Sequence, residues 1–191
     1  MMRNLATNPY KVCICGEYNV GKTALVNRYV TDLFSESYRP TIAACFTAMT
    51  VNLNGREVQM NVWDTAGQEK YQSMLPLYLQ DANCVFLVVD ITKQSSWRYA
   101  LKWVEQEWNN LNPSPLLIIC LNKCDLQPNF DLEEVAEWAS QMEIPIVQTS
   151  ALSGSNVKLL FEKAARMLDI SNHRAAVGVN VSGQANSQKC C

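Results

Sequence analysis

Apolar residues along the chain fall into two alternating kinds of block. Short continuous runs occupy residues 11–15, 84–89, 116–121 and 144–148. All four read as strands, and the runs over 84–89 and 116–121 are continuously apolar, as in strands buried on both faces. Between them lie longer stretches with apolar positions at helical spacing. Leu25, Val26, Tyr29 and Val30 mark a helix ending near residue 30; Trp97, Leu101, Val104 and Trp108 mark another over 95–109. Val157, Leu160, Phe161, Ala164 and Leu168 stripe a last helix. Asp131 with Glu134 predicts an N-cap and capping box for a helix ending near residue 142. Residues 31–40 read as a loop, and residues 46–62 follow a different rule. There an apolar-rich run meets Asn54-Gly55, after which Val58, Met60 and Val62 alternate with polar residues. That pattern predicts a β-hairpin with a type I′ turn.

Strands alternating with helices predict an α/β fold of three layers. Its six-stranded sheet is mostly parallel, with one antiparallel strand from the hairpin and helices on both faces. From Ser171 onward periodicity stops and Ser, Asn, Gly, Gln and Ala dominate. The expected division is an extension over 1–9, one domain over 10–170, and a flexible polar tail over 171–191.

Composition narrows this picture. A chain of 191 residues makes one domain with a substantial core. A net charge of −2 offers nothing to attract nucleic acid. No apolar run approaches the ~20 residues that span a bilayer. The first nine residues carry no secretory signal pattern, and Met2 rather than glycine excludes N-myristoylation. Of eight cysteines, Cys13, Cys15, Cys84 and Cys120 lie in strand-like runs, and no paired C-x-x-C spacing for zinc occurs. Reduced thiols are expected.

Candidate chemistry clusters where strands end, the rim at which open α/β sheets bind ligands. Gly16-Glu17-Tyr18-Asn19-Val20-Gly21-Lys22-Thr23 lies between the first strand and first helix, the order of a phosphate-binding P-loop. Gly16 and Gly21 let the backbone wrap an anion, with N–H groups from Tyr18, Asn19, Val20 and Ala24 as further candidates. Lys22 reaches the terminal phosphates, and the Thr23 hydroxyl is a Mg²⁺ ligand. Asp64 follows a strand and complements Thr23 at the ion; Gly67 offers an N–H to a γ-phosphate, and Gln68 is placed to orient water. Asn122-Lys123-Cys124-Asp125 ends another strand. Asp125 accepts from N1–H and the 2-amino group of guanine, a donor pair that adenine lacks. Lys123 lays its stem along the base, Asn122 ties this loop to the P-loop, and Ser150-Ala151 places an N–H at guanine O6. Leu152 packs beside the base.

The set GEYNVGKT, WDTAGQE, NKCD and SAL resembles the Ras superfamily of small GTPases over about residues 10–170. Within it the chain is similar to the Rab family, through Ile42-Ala43-Ala44-Cys45-Phe46, Lys70-Tyr71-Gln72-Ser73-Met74 and Leu87-Val88-Val89-Asp90-Ile91-Thr92. The resemblance implies a P-loop NTPase fold that binds GTP and GDP with Mg²⁺, hydrolyses GTP with Gln68 and Lys22 as catalytic residues, and switches effector binding in vesicle traffic. It makes Thr41 a ligand of Mg²⁺ and the γ-phosphate, Phe34 a ring on the guanine, and Phe46, Trp63 and Tyr78 an effector-binding triad. Cys190 and Cys191 look like the double prenylation site of Rabs, two lipid chains being what stable anchoring needs. Implied partners are an exchange factor, a GTPase-activating protein, effectors, an escort protein with prenyltransferase, and a GDP dissociation inhibitor. The implied address is the cytosolic face of intracellular membranes, endosomal by the IAACF and KYQSM segments, with cycling through cytosol and a monomeric G domain.

Tyr18 departs from the family pattern, which has a small residue there. Its ring either crowds the γ-phosphate, giving a GTP-loaded scaffold with weak hydrolysis, or points outward. A P-loop ATPase or kinase is a further alternative, against which Asp125 argues.

Overall fold

The computed structural model describes residues 8–35, 41, 42, 44–67 and 73–177, the last six by backbone alone. Ala43, Gln68, the segment 69–72, Cys190 and Cys191 lie outside the described residues.

Among the described residues, six strands and five α-helices follow in order: β1 (Tyr10–Cys15), α1 (Lys22–Thr31), β2 (Ala44–Leu53), β3 (Arg56–Thr65), α2 (Leu75–Leu79), β4 (Cys84–Asp90), α3 (Gln94–Gln106), β5 (Leu116–Asn122), α4 (Leu132–Gln141), β6 (Ile146–Gln148) and α5 (Val157–Val177). The sheet runs β2-β3-β1-β4-β5-β6, with β2 antiparallel to β3 and the other pairs parallel. This is the expected α/β class. Strand β4 shows why its sequence is continuously apolar. Cys84, Phe86 and Val88 enter the core shared with α1 and α5, while Val85, Leu87 and Val89 enter the core shared with α3 and α4. Alternate residues point to opposite faces, so both sets must be apolar. At the hairpin, Asn54 (φ 53°) and Gly55 (φ 91°) both take positive φ, as a type I′ turn requires.

Several boundaries move. Helix α3 ends at Gln106, because Trp108 swings into a 3-10 turn where its indole N–H donates to the Pro115 carbonyl at 2.9 Å. Asp131 caps α4 by accepting from the Glu133 N–H at 2.8 Å, in place of the reciprocal box with Glu134. The last strand keeps only residues 146–148 of the expected 144–148. Helix α5 continues to Val177, so Ser171 falls within it; Arg174-Ala175-Ala176 are strong helix formers that extend a helix already nucleated. No helix among the described residues is long and apolar enough to cross a membrane.

Candidate functional site

The carboxyl ends of β3 and β5 and the loops that follow β1, β3, β5 and β6 open onto one cleft of about 410 Å³. One wall is the loop between β1 and α1. Gly16 has φ +142°, and a Cβ there would strike the Val88 backbone carbonyl; at Gly21 (φ +99°) it would strike the Asn122 amide. The glycines therefore also let this loop nest against β4 and β5, a demand that the sequence pattern did not reveal. The ammonium of Lys22 is buried and donates to the carbonyls of Gly16 at 2.9 Å and Glu17 at 2.8 Å. Burial lowers its pKa to about 8, with nearby Asp64 opposing the shift. Gly67 leaves no space for a side chain, since an added Cβ would meet Lys22 Nζ and come within 2.6 Å of the Glu17 carbonyl.

Beside Lys22, three oxygen-bearing side chains converge. The Thr23 hydroxyl donates to Asp64 Oδ2 at 2.6 Å and lies 2.8 Å from the Thr41 hydroxyl. Asp64 is only 2% exposed, and among the described residues its Oδ1 has no hydrogen-bond partner. Burial pushes its carboxyl up to about 6, against the opposing influence of Thr23, Lys22 and Thr41. An orphaned carboxylate oxygen on a residue bonded to one of two adjacent hydroxyls is a ligand set for a hard cation, and Mg²⁺ fits it.

The far end of the cleft carries the loops after β5 and β6. Asn122 is buried; its amide donates to the Val20 carbonyl at 2.9 Å, and its Oδ1 accepts from the Thr149 hydroxyl at 3.2 Å and the Ala151 N–H at 3.3 Å. It ties the two loops to the P-loop as expected. The Ser150 hydroxyl donates to Asp125 Oδ1 and accepts from the Ser153 N–H at 3.0 Å. That holds one oxygen of the Asp125 carboxylate. Lys123 Nζ contacts the Asn19 carbonyl at 3.2 Å and pairs with Asp90 at 2.6 Å.

Most candidate residues line the cleft: Tyr18, Asn19, Lys22, Thr23 and Ala24 from the loop after β1 and the start of α1, Thr41 and Gly67 beside them, Phe34 from the segment after α1, and Lys123, Asp125, Ala151 and Leu152 from the loops after β5 and β6. Gly21 and Asn122 also reach it. Gly16, Val20, Asp64 and Ser150 do not form its wall, and act from behind it through the contacts above. Asn27, Leu33 and Leu126 line it as well, and went unnoticed because nothing in their local sequence marks them.

A family model described as the Ras family matches residues 11–170. The chain belongs to the Ras family. It is a small GTPase switch of that family, whose members bind GTP and GDP with Mg²⁺ and are governed by exchange factors and activating proteins. The Ras-family match spans every rim loop named above. Outside the cleft, Phe46 on β2 pairs with Trp63 on β3, their rings 5.3 Å apart, and Trp63 lies 6.0 Å from Tyr78 on α2. The three expected aromatics are thus one ladder, with Phe46 half exposed.

Proposed function

We propose that this protein is a Rab-like GTPase: a GTP/GDP-regulated switch that recruits effectors in vesicular membrane traffic and hydrolyses GTP to GDP and phosphate. One observation carries the reading. A base-reading carboxylate, Asp125, and an oxygen cluster suited to Mg²⁺ occupy opposite ends of the same cleft. Thr23, Asp64 and Thr41 would hold Mg²⁺, which when bound supplies charge neutralisation on the transferred phosphoryl. The Lys22 ammonium, which donates to the P-loop carbonyls of Gly16 and Glu17, would supply its charge to the terminal phosphates. Gly67 and Thr41 belong to two segments that a γ-phosphate would draw together, so its loss releases them. Gln68, outside the described residues, keeps the water-orienting role that the resemblance implies.

The Rab assignment is supported by the sequence segments around residues 42–46 and 70–74 and by the ladder of Phe46, Trp63 and Tyr78, of which Phe46 ends the first segment and Tyr78 follows the second. Prenylation of Cys190 and Cys191 would then hold the protein on endosomal membranes, with an escort protein, prenyltransferase and GDP dissociation inhibitor handling the lipidated chain. A second reading, a GTP-loaded scaffold with weak hydrolysis, is favoured by one observation: Tyr18 lines the cleft while 39% exposed. Single-turnover hydrolysis separates the two. Tyr18→Ser is expected to leave the rate unchanged under the first reading and to accelerate it under the second. Membrane fractionation tests the lipid claim: loss of both terminal cysteines is expected to move the protein to the soluble fraction.

A further inference from the structure

Sequence patterning leaves Lys123 as an apolar stem beside a base. The structure gives its charged end a partner that no motif supplies. Asp90 closes β4 with its side chain fully buried, and its Oδ2 lies 2.6 Å from Lys123 Nζ. Its other oxygen accepts from the Thr92 N–H at 3.0 Å and the Thr92 hydroxyl at 2.7 Å. Behind it the buried Ser96 hydroxyl accepts from the Asp90 N–H at 3.0 Å and bonds the Asp90 carbonyl at 2.9 Å. One oxygen of this carboxylate is therefore hydrogen-bonded, the other faces the lysine ammonium as an ion pair, and the backbone is fixed. Burial opposes the charge, but Lys123 and Thr92 outweigh it and hold the carboxyl below the usual range.

Lys123 is constrained at its other end too. Its φ of 67° is left-handed, a conformation that is unfavourable for a non-glycine residue and persists only where surrounding contacts impose it. Its ammonium also reaches the Asn19 carbonyl in the P-loop at 3.2 Å. With backbone and ammonium both held, the methylenes between them form a fixed part of the cleft wall near Asp125. A wall ordered beforehand spares the ligand the cost of ordering it.

We propose that Asp90 is a positioning residue for the nucleotide: by anchoring the Lys123 ammonium it fixes the lysine stem against the guanine and joins the ends of β4 and β5 to the P-loop through Asn19. This rests on reading the cleft as a guanine-nucleotide site. The competing role for Asp90 is a local one, closing the turn over residues 90–93. The variant Asp90→Asn tells them apart, because its amide oxygen still accepts from Thr92 while its NH₂ faces the lysine donor to donor.

The test is the dissociation rate of a fluorescent GDP from the full-length protein in Mg²⁺, chased with unlabelled GDP. Asp90→Asn is expected to speed release about tenfold or more, as loss of a charged partner implies. Lys123→Met speeds it as well, and adding Asp90→Asn to Lys123→Met produces no further change. Thr92→Val, which loosens the same turn without touching the ion pair, stays within about twofold of wild type. An unchanged rate in Asp90→Asn, a multiplicative effect in the double variant, or an equal effect from Thr92→Val overturns the proposal. The double variant presents no ammonium to the buried amide and so remains informative where the single variant folds poorly. Wild-type protein that fails to bind the probe overturns the guanine reading itself, and the proposal with it.

Discussion

Single residues at the rim carry costs that only a ligand relieves, and Asp64 is the clearest of them. Its pKa is raised, so the native fold prefers the protonated acid. The stabilisation from protonation is complete below the ordinary carboxylate pKa and is lost as pH rises through about 6. Without nucleotide and Mg²⁺, Asp64→Asn is therefore expected to be more stable than wild type at neutral pH, by on the order of 2–3 kcal/mol. The difference should shrink as both proteins are taken to acid pH. Mg²⁺ with nucleotide should stabilise wild type much more than the variant. Urea denaturation across pH, with and without Mg²⁺, measures all three; a destabilised variant that keeps the full Mg²⁺ response contradicts the assignment. The residues behind the wall were partly legible in advance. Asp64 and Ser150 stand in motifs whose chemistry is known from residue type and spacing. Asp90 and Thr149 do not, since each works through a side chain on a neighbouring strand end, and only the register β4–β5–β6 brings them together.

At the scale of elements, apolar patterning marked the described strands and helices α1, α3 and α5, because two cores impose two-sided burial on β4 and β5 and a single stripe on those helices, whereas α4 was marked by its N-cap Asp131. Ends were less legible. Trp108 continues the helical spacing of α3, yet a tertiary bond to Pro115 takes its indole out of the helix. Helix α2, five residues long, has too few positions to show a period. Its attachment comes from the aromatic ladder and from the Cys13 thiol, which donates to the Tyr78 carbonyl at 3.1 Å. Trp63→Ala removes the middle rung. Ring pairs contribute about 0.5–1.5 kcal/mol each beyond simple burial, so amide exchange in α2 is expected to accelerate about tenfold with the rest of the sheet little changed. Hydrogen exchange read by mass spectrometry checks this. Equal acceleration throughout the sheet would make Trp63 a core residue rather than a local clamp.

For the molecule as a whole, strand order decides where chemistry is possible. With β1 central and parallel to both β3 and β4, the P-loop, the end of β3 and the end of β5 reach one rim, and their side chains meet there despite wide separation in the chain. The central claim is that this rim holds a guanine nucleotide and distinguishes it from adenine through Asp125. Competition for a fluorescent GDP on the purified full-length chain in Mg²⁺ tests it most directly. GTP and GDP are expected to displace the probe, ATP to do so at least about a thousandfold less well, and Asp125→Asn to weaken guanine-nucleotide binding by about 2–5 kcal/mol. Displacement by ATP as readily as by GTP, or unaltered binding by Asp125→Asn, would contradict the account.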